Sequence, residues 1–268
     1  MKKIEFYKMS GAGNDFVLLY GKKYSALNLK KIARKLCSRG VSIGADGLLY
    51  VSKISKETIG MRYFNADGSE AFCGNGARCC VWWASSNGII KKKKFKLESI
   101  KGSLNAEIIA KEKVKVEMPD VYDVKLNYRG SYPPAVKKLH FLNTGAPHAI
   151  VSIKNLEVLD VDSMGKLIRH NKAFGKYGTN VDFVSLKGGK IFVRTYERGV
   201  EAETLACGTG ITASAIAMSL SKKNIKQPVI CIATGGEEFK VWFDCKKQNQ
   251  VSNIYLQGPA KQVFKGEI

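Results

Sequence analysis

Two cysteines stand in nearly the same context twice. Cys73 lies in Phe72-Cys73-Gly74-Asn75-Gly76-Ala77, and Cys207 lies in Ala206-Cys207-Gly208-Thr209-Gly210-Ile211. Their separation, 207 − 73 = 134, is half of the 268-residue chain. A second echo keeps the offset: Ser10-Gly11-Ala12 answers to Thr144-Gly145-Ala146, with 145 − 11 = 134. A thiol is a useful acid–base group because its reference pKa, about 8.5, falls at a helix N-terminus or beside cations. A Gly-x-Gly that opens a helix leaves unpaired N–H groups, and these, with the helix dipole, hold an anion. Two such turns can grip the carboxylate of an amino acid. One cysteine, as thiolate, removes the Cα proton, and the other, as thiol, returns a proton to the opposite face. The same N–H groups stabilise charge that grows on the carboxylate. The chemistry inverts a stereocentre and calls for no pyridoxal phosphate, other cofactor or metal. One Cys-Gly-x-Gly turn alone is more often packing than catalysis, since cysteine is commonly buried. Cys37, Cys79, Cys80, Cys231 and Cys245 are read as packing residues.

The elements around the turns are expected to repeat. Ile4–Met9 and Phe16–Tyr20 read as strands either side of the turn-prone Ser10–Asp15. Asn28 is placed to cap a helix over Leu29–Cys37 that Gly40 ends. Leu48–Val51 and Thr58–Asn65 read as strands. Helices follow each cysteine turn, over Ala77–Ser86 and Ile211–Leu220, and both are apolar on all sides, so each is expected to be enclosed. Strands follow at Lys94–Leu97, Ala106–Met118, Val229–Ala233 and Phe239–Asp244. The crossover between halves is placed at Tyr122–Val136, with Tyr132-Pro133-Pro134 its most linker-like part. Asn180-Val181-Asp182-Phe183-Val184 is like Asn14-Asp15-Phe16-Val17, but at another offset, and is treated as a local likeness. The expected fold is α+β: two pseudo-symmetric domains, each a mixed barrel-like sheet around a central apolar helix, with the active site in the cleft between them. The domains are drawn at residues 1–123 and 124–268, with the last strand left free to return to the first.

Bulk properties narrow the function classes. With 45% hydrophobic and 25% charged residues, the composition is that of a globular protein. No apolar stretch is long enough to span a bilayer. The opening Met1-Lys2-Lys3-Ile4-Glu5-Phe6 lacks a signal-peptide core, which points to the cytoplasm. Seven cysteines are an odd count and read as reduced thiols rather than a disulfide framework. The net charge of +21 is compatible with nucleic-acid binding. The lysines, however, spread along the chain without a nucleic-acid motif, and a lysine-rich surface attracting acidic metabolites fits better. No specific nucleic acid and no membrane are expected as partners.

The chain resembles the diaminopimelate epimerases over its whole length. The matching pieces are Gly11-x-Gly13-Asn14-Asp15-Phe16, Asn65-x-Asp67-Gly68-Ser69 and Cys73-Gly74-Asn75-Gly76-x-Arg78, then Pro147-His148, Thr179-Asn180-Val181, Glu197-Arg198-Gly199 and Thr204-Leu205-Ala206-Cys207-Gly208-Thr209-Gly210. Gly258-Pro259-Ala260 and Val263–Glu267 match as well. The resemblance implies interconversion of LL- and meso-2,6-diaminopimelate in lysine and peptidoglycan-precursor synthesis, without cofactor or metal, by a homodimer. It implies Cys73 and Cys207 as the acid–base pair, and Asn14, Asn65, Asn75, Asn180, Glu197 and Arg198 as substrate contacts. The backbones of Gly74, Gly208 and Thr209 would meet the reacting carboxylate, and His148 and Glu197 would influence thiol ionisation. Three departures stand at the substrate rim. Ala146 replaces an asparagine common in the family, with Asn143, three residues earlier, as the substitute contact. Gly47 stands where some members have glutamine, and the Glu197–Cys207 spacing is one residue longer. A related two-cysteine racemase of another amino or imino acid, such as proline, is the runner-up.

Overall fold

A computed structural model describes residues 3–222, 224–245 and 250–268; Met1 and Lys2 of the N-terminal reading lie outside them. The chain forms two compact units, Met1–Glu117 with Gln257–Ile268, and Met118–Leu256.

In the N-terminal unit, strand Glu5–Gly11 forms an antiparallel hairpin with Asn14–Tyr20. The latter pairs in parallel with Gly47–Lys53. That crossover carries helix α1 (Leu29–Leu36), capped by the Asn28 side chain accepting from Lys31 N–H at 3.1 Å. Gly47–Lys53 continues antiparallel into Thr58–Asn65, which pairs in parallel with Lys94–Ser99. This second crossover carries helix α2 (Gly74–Ser86). Parallel neighbours need such crossovers because no tight turn joins them. The last strand, Lys261–Glu267, pairs with the first. Side-chain alternation divides the middle strands between two cores. Phe16, Leu18, Leu49 and Val51 pack with α2, whereas Val17, Leu19, Leu48 and Tyr50 pack with α1.

The C-terminal unit repeats the order. Leu139–Asn143 and Pro147–Ser152 form an antiparallel hairpin, and Pro147–Ser152 pairs in parallel with Asn180–Lys187 across helix α3 (Val161–Arg169). Asn180–Lys187 pairs with Lys190–Glu197, which pairs in parallel with Val229–Ala233 across helix α4 (Gly208–Ser221). Val181 and Phe183 join the core beneath α3. From Gly208 to Met218 only Thr209 is not fully buried.

The mixed sheets and enclosed helices match the expected fold class. Several local readings need correction. Both cysteine helices begin at the glycine after the cysteine, three residues earlier than read, so Gly-x-Gly is itself the first turn. Ala106–Met118 is two strands, Gly102–Ala110 and Lys113–Glu117, turned at Glu112 with φ of 57°. Tyr132 stacks on Phe174, their ring centres 6.1 Å apart, and so packs against a core instead of forming a free linker. Cys245 is exposed, unlike Cys37, Cys79, Cys80 and Cys231.

Candidate active site

Each cysteine is the residue before its helix, in extended backbone (φ −132°, ψ 116° for Cys73; φ −115°, ψ 111° for Cys207). An extended N-cap turns its side chain back over the first helical N–H groups. The Cys73 sulfur accepts from Gly76 N–H at 3.4 Å. It also donates to Asn14 Oδ1 at 3.7 Å, and Asn75 Nδ2 donates to the same oxygen at 3.5 Å. Behind Asn75 lies fully buried Arg78, which donates to Asn75 Oδ1 at 2.8 Å and fixes which way that amide faces. Burial drives the Arg78 guanidinium down to about 10.

Asn14 is held from its other side. Its Nδ2 donates to Asp46 Oδ2 at 2.5 Å, and Arg39 bridges Asp46 (2.7 Å) and Asp15 (2.6 Å). Lys8 pairs with Asp15 at 2.6 Å. Burial would push the Asp15 carboxyl up, but Arg39 and Lys8 outweigh it and hold the group below its usual range. Asn65 is fixed separately: Tyr63 OH donates to its Oδ1 at 2.8 Å, and its Nδ2 donates to Ser69 Oγ at 2.9 Å. Gly47 lies opposite Asn65, and a Cβ there would meet the Tyr63 ring at 2.4 Å. Tyr63 therefore takes the room that a glutamine would need.

The second thiol has different neighbours. Cys207 Sγ lies 3.3 Å from Thr209 Oγ1, which lies 3.0 Å from His148 Nε2. His148 Nδ1 is 2.7 Å from Asp182 Oδ2, and Asp182 Oδ1 accepts from Thr195 Oγ1 at 2.7 Å. Strand register explains the assembly. His148 pairs with Asn180, so Asp182 is its diagonal neighbour on the same face, and Thr195 is directly opposite Asp182. His148 and Asp182 are fully buried. Gly210 makes the approach possible, because a Cβ there would lie 2.2 Å from Asp182 Oδ1. Burial pushes the Cys207 thiol well above its ordinary range. The Glu197 and Asp182 carboxylates push the same way, and the Thr209 hydroxyl opposes them. The lowered thiol expected from the helix dipole is thus overridden at Cys207, because desolvation of a buried thiolate costs more than the helix end returns.

Asn180 spans two elements, donating to Pro147 O at 3.0 Å and accepting from Arg198 N–H at 2.8 Å. Thr204 donates to Glu197 Oε2 at 3.1 Å. Among the described residues the half-buried Arg198 guanidinium has no ion pair, and burial, then Arg169, lower its pKa. The lengthened loop after Glu197 is a hairpin turn, with Glu201 at φ of 60° leading into Ala202–Thr204. Asn143 Oδ1 accepts from Gly145 N–H at 3.0 Å and so serves its own turn. Sequence reasoning missed Asp46, Arg39, Asp182, Thr195 and the Thr209 side chain. The likeness around Asn180-Val181-Asp182 was a signal, but it carried no register. Among the described residues no three His, Cys, Asp or Glu side chains are grouped to hold a metal. Among the described residues no helix is long and apolar enough to cross a membrane.

The fold recurs across the full length of solved proteins of low sequence identity. A Bacillus anthracis phenazine biosynthesis protein of the PhzF family superposes with a TM-score of 0.79 at 16% identity, covering 100% of this chain and 99% of that one. A hydroxyproline epimerase from Agrobacterium vitis superposes with a TM-score of 0.74 at 13% identity, covering 100% and 92%. What this chain shares with them is the architecture of repeated α+β units. Within it, the family model for diaminopimelate epimerase matches residues 6–124 and 140–263. Relatives named diaminopimelate epimerase include one from Methanocella arvoryzae, 40% identical over 100% of this chain and 98% of its own length. Another, from Chlorobaculum tepidum, is 38% identical over 97% and 99%. The chain belongs to the diaminopimelate epimerase family.

Proposed function

We propose that this chain is an isomerase that converts LL-2,6-diaminopimelate to meso-2,6-diaminopimelate, using Cys73 and Cys207 as its two acid–base groups. The carrying observation is family membership over nearly the whole chain, joined to two cysteines that each stand at the residue before an enclosed helix opened by Gly-x-Gly. One sulfur, as thiolate, takes the Cα proton. The electron pair left on carbon delocalises into the carboxylate, held by N–H groups at the helix starts, Gly74 with Asn75 and Gly208 with Thr209. The other thiol gives its proton to the opposite face and becomes the thiolate. Protein groups alone balance the cycle.

In this reading Asn14, Asn65, Asn75, Asn180 and Glu197 orient the ammonium and carboxylate groups. Arg198 binds the distant carboxylate with two parallel hydrogen bonds, for which an unpaired, half-buried guanidinium is suited. The enzyme works as a homodimer in the cytoplasm, in lysine biosynthesis. Incubation in D₂O with LL-diaminopimelate and, separately, with L-proline tests the assignment. Deuterium is expected at Cα of diaminopimelate, and exchange confined to proline would overturn the reading.

A further inference from the structure

Cys207 presents a difficulty that its immediate contacts do not resolve. Its sulfur is enclosed and faces two carboxylates, Glu197 and Asp182, yet a two-base inversion needs it ionised for half of the turnover. Losing the proton to solvent would leave an additional negative charge in a dry site, which is strongly unfavourable. The hydrogen-bonded chain behind Cys207 offers another route.

We propose that Cys207, Thr209, His148 and Asp182 form a proton relay, in which the Thr209 hydroxyl passes the thiol proton to His148 and Asp182 is the positioning residue that lets His148 accept it. The proposal rests on the two-thiol reading above but concerns how one thiol is ionised rather than which molecule is inverted.

Donor and acceptor bookkeeping along the chain is closed. Asp182 is fully buried and receives a hydroxyl proton from Thr195 on one oxygen, 2.7 Å away. Its other oxygen lies 2.7 Å from His148 Nδ1, so a carboxylate there fixes the histidine tautomer with the proton on Nδ1. Neutral His148 then has a lone pair on Nε2, aimed at Thr209 Oγ1 at 3.0 Å. Thr209 donates its proton there, which leaves its oxygen free to accept from the Cys207 thiol at 3.3 Å. Ionisation reverses each link. The S–H bond breaks and its proton binds Thr209 Oγ1, while the original Thr209 proton moves to His148 Nε2. The products are a thiolate, an intact hydroxyl that now donates to sulfur, and an imidazolium paired with Asp182. No net charge enters or leaves, so the desolvation cost is that of an internal ion pair rather than of an isolated thiolate. Among the described residues of this unit, the charged groups acting on the thiol are Glu197 from strand Lys190–Glu197 and Asp182 from Asn180–Lys187, with His148 from Pro147–Ser152 behind Thr209.

Two structural details favour a dedicated device over ordinary packing. Gly210, in the first turn of α4, leaves the space that Asp182 occupies, and any side chain there would displace the carboxylate. The other unit also lacks the chain: the strand position matching Asp182 is Gly47.

The test reads Cys207 itself, in substrate-free protein, as ultraviolet thiolate absorbance against pH with the Cys207→Ser protein subtracted. It therefore separates failure of the relay from failure of the substrate assignment. Asp182→Asn gives opposite signs under the two physical pictures. If Asp182 acts only by direct repulsion of the thiolate, its removal lowers the apparent pKa of Cys207. Under the relay, its removal raises that pKa by about one unit, a tenfold loss of thiolate at fixed pH. Thr209→Val, which breaks the middle link, is expected to raise it similarly, and Thr209→Ser, which keeps the hydroxyl, to restore the wild-type curve. A lowered or unchanged pKa in Asp182→Asn overturns the relay. Should that variant fail to fold, an unchanged curve in Thr209→Val, or a Thr209→Ser curve that follows Val, overturns it equally.

Discussion

The two units carry the same strand order and helix crossovers around thiols with different surroundings. Cys73 meets amides: Asn14, then Asn75 backed by buried Arg78. Cys207 meets a hydroxyl, an imidazole and a buried carboxylate in series. The pairings align the halves residue by residue. His148 stands where Asn14 does, since 148 − 14 = 134, and Phe16 pairs with Gly47 just as Ile150 pairs with Asp182. One step further, Asn65 opposite Gly47 answers to Thr195 opposite Asp182. Asn14, Gly47 and Asn65 in one unit thus occupy the places of His148, Asp182 and Thr195 in the other. A repeated scaffold fixed the helix ends, and three positions on it diverged to give each thiol its own electrostatic setting.

That contrast is best broken at the sulfurs. Cys73→Ser and Cys207→Ser are each expected to lower epimerisation at least about 100-fold, the lower range for a lost acid–base group. Their far-ultraviolet circular dichroism should be unchanged. Full turnover in either variant would remove the two-base scheme.

The units should also differ in acid. Burial, then nearby Lys138, push His140 down to about 4, and its Nδ1 accepts from Asn127 N–H at 3.1 Å. Unfolded, it binds a proton below about 6.5, so between pH 6.5 and 4 the unfolded state holds more protons and stability falls as pH falls. The loss is about 3 kcal/mol over that window. Asp15 has the opposite origin: its carboxyl is depressed, so its contribution persists above its unfolded value and disappears only as pH drops below about 4. Urea midpoints measured from pH 8 to 3 should therefore decline first through the C-terminal unit, and His140→Phe should flatten the upper part of that decline. An identical pH dependence in wild type and variant would refute this.

A smaller contrast compares matched glycines, since 210 − 76 = 134. A Cβ on Gly210 meets the Asp182 carboxylate at 2.2 Å, whereas one on Gly76 meets the end of the Leu49 side chain at 2.8 Å, which can rotate aside. Gly210→Ala is expected to cost about 1–3 kcal/mol and Gly76→Ala less than about 1 kcal/mol in urea unfolding. Equal costs would mean that the two helix starts are packed alike. The least effect belongs to Arg39→Ala, which removes exposed hydrogen bonds to Asp15 and Asp46 and should cost about 0.5–1 kcal/mol at pH 7. That difference should shrink below pH 4 as Asp15 protonates, and a constant difference from pH 7 to 3 would exclude the charge pairing as its cause.

The paired helix starts after Cys73 and Cys207, the enclosed helices and the mixed sheets were legible because they rest on local signals: a repeated motif, helices without a polar face and alternating strands. Asn28 as a cap was legible for the same reason. The Asp182 chain was not, because His148 and Asp182 are 34 residues apart and meet only through a parallel register that no short motif encodes. The strength of desolvation at Cys207 was equally hidden. A motif reports that a helix begins at a residue, not how completely its neighbours close over it. Gly47 was noticed as a departure, but the ring that fills its place belongs to Tyr63, on a different strand.

The absence of a polar face on α4 has a consequence during synthesis. Strands that precede it, Asn180–Lys187 and Lys190–Glu197, can cover one side as soon as the helix leaves the ribosome. Strands Val229–Ala233 and Glu238–Cys245, which also touch it, come afterwards. At about 5–20 residues per second, the remaining 35 or so residues of the unit take on the order of 2–7 s to appear. For that interval a nearly uniform apolar cylinder is only partly sheathed, which makes the nascent chain, more than four-fifths complete, the form of this protein with the greatest need of a chaperone.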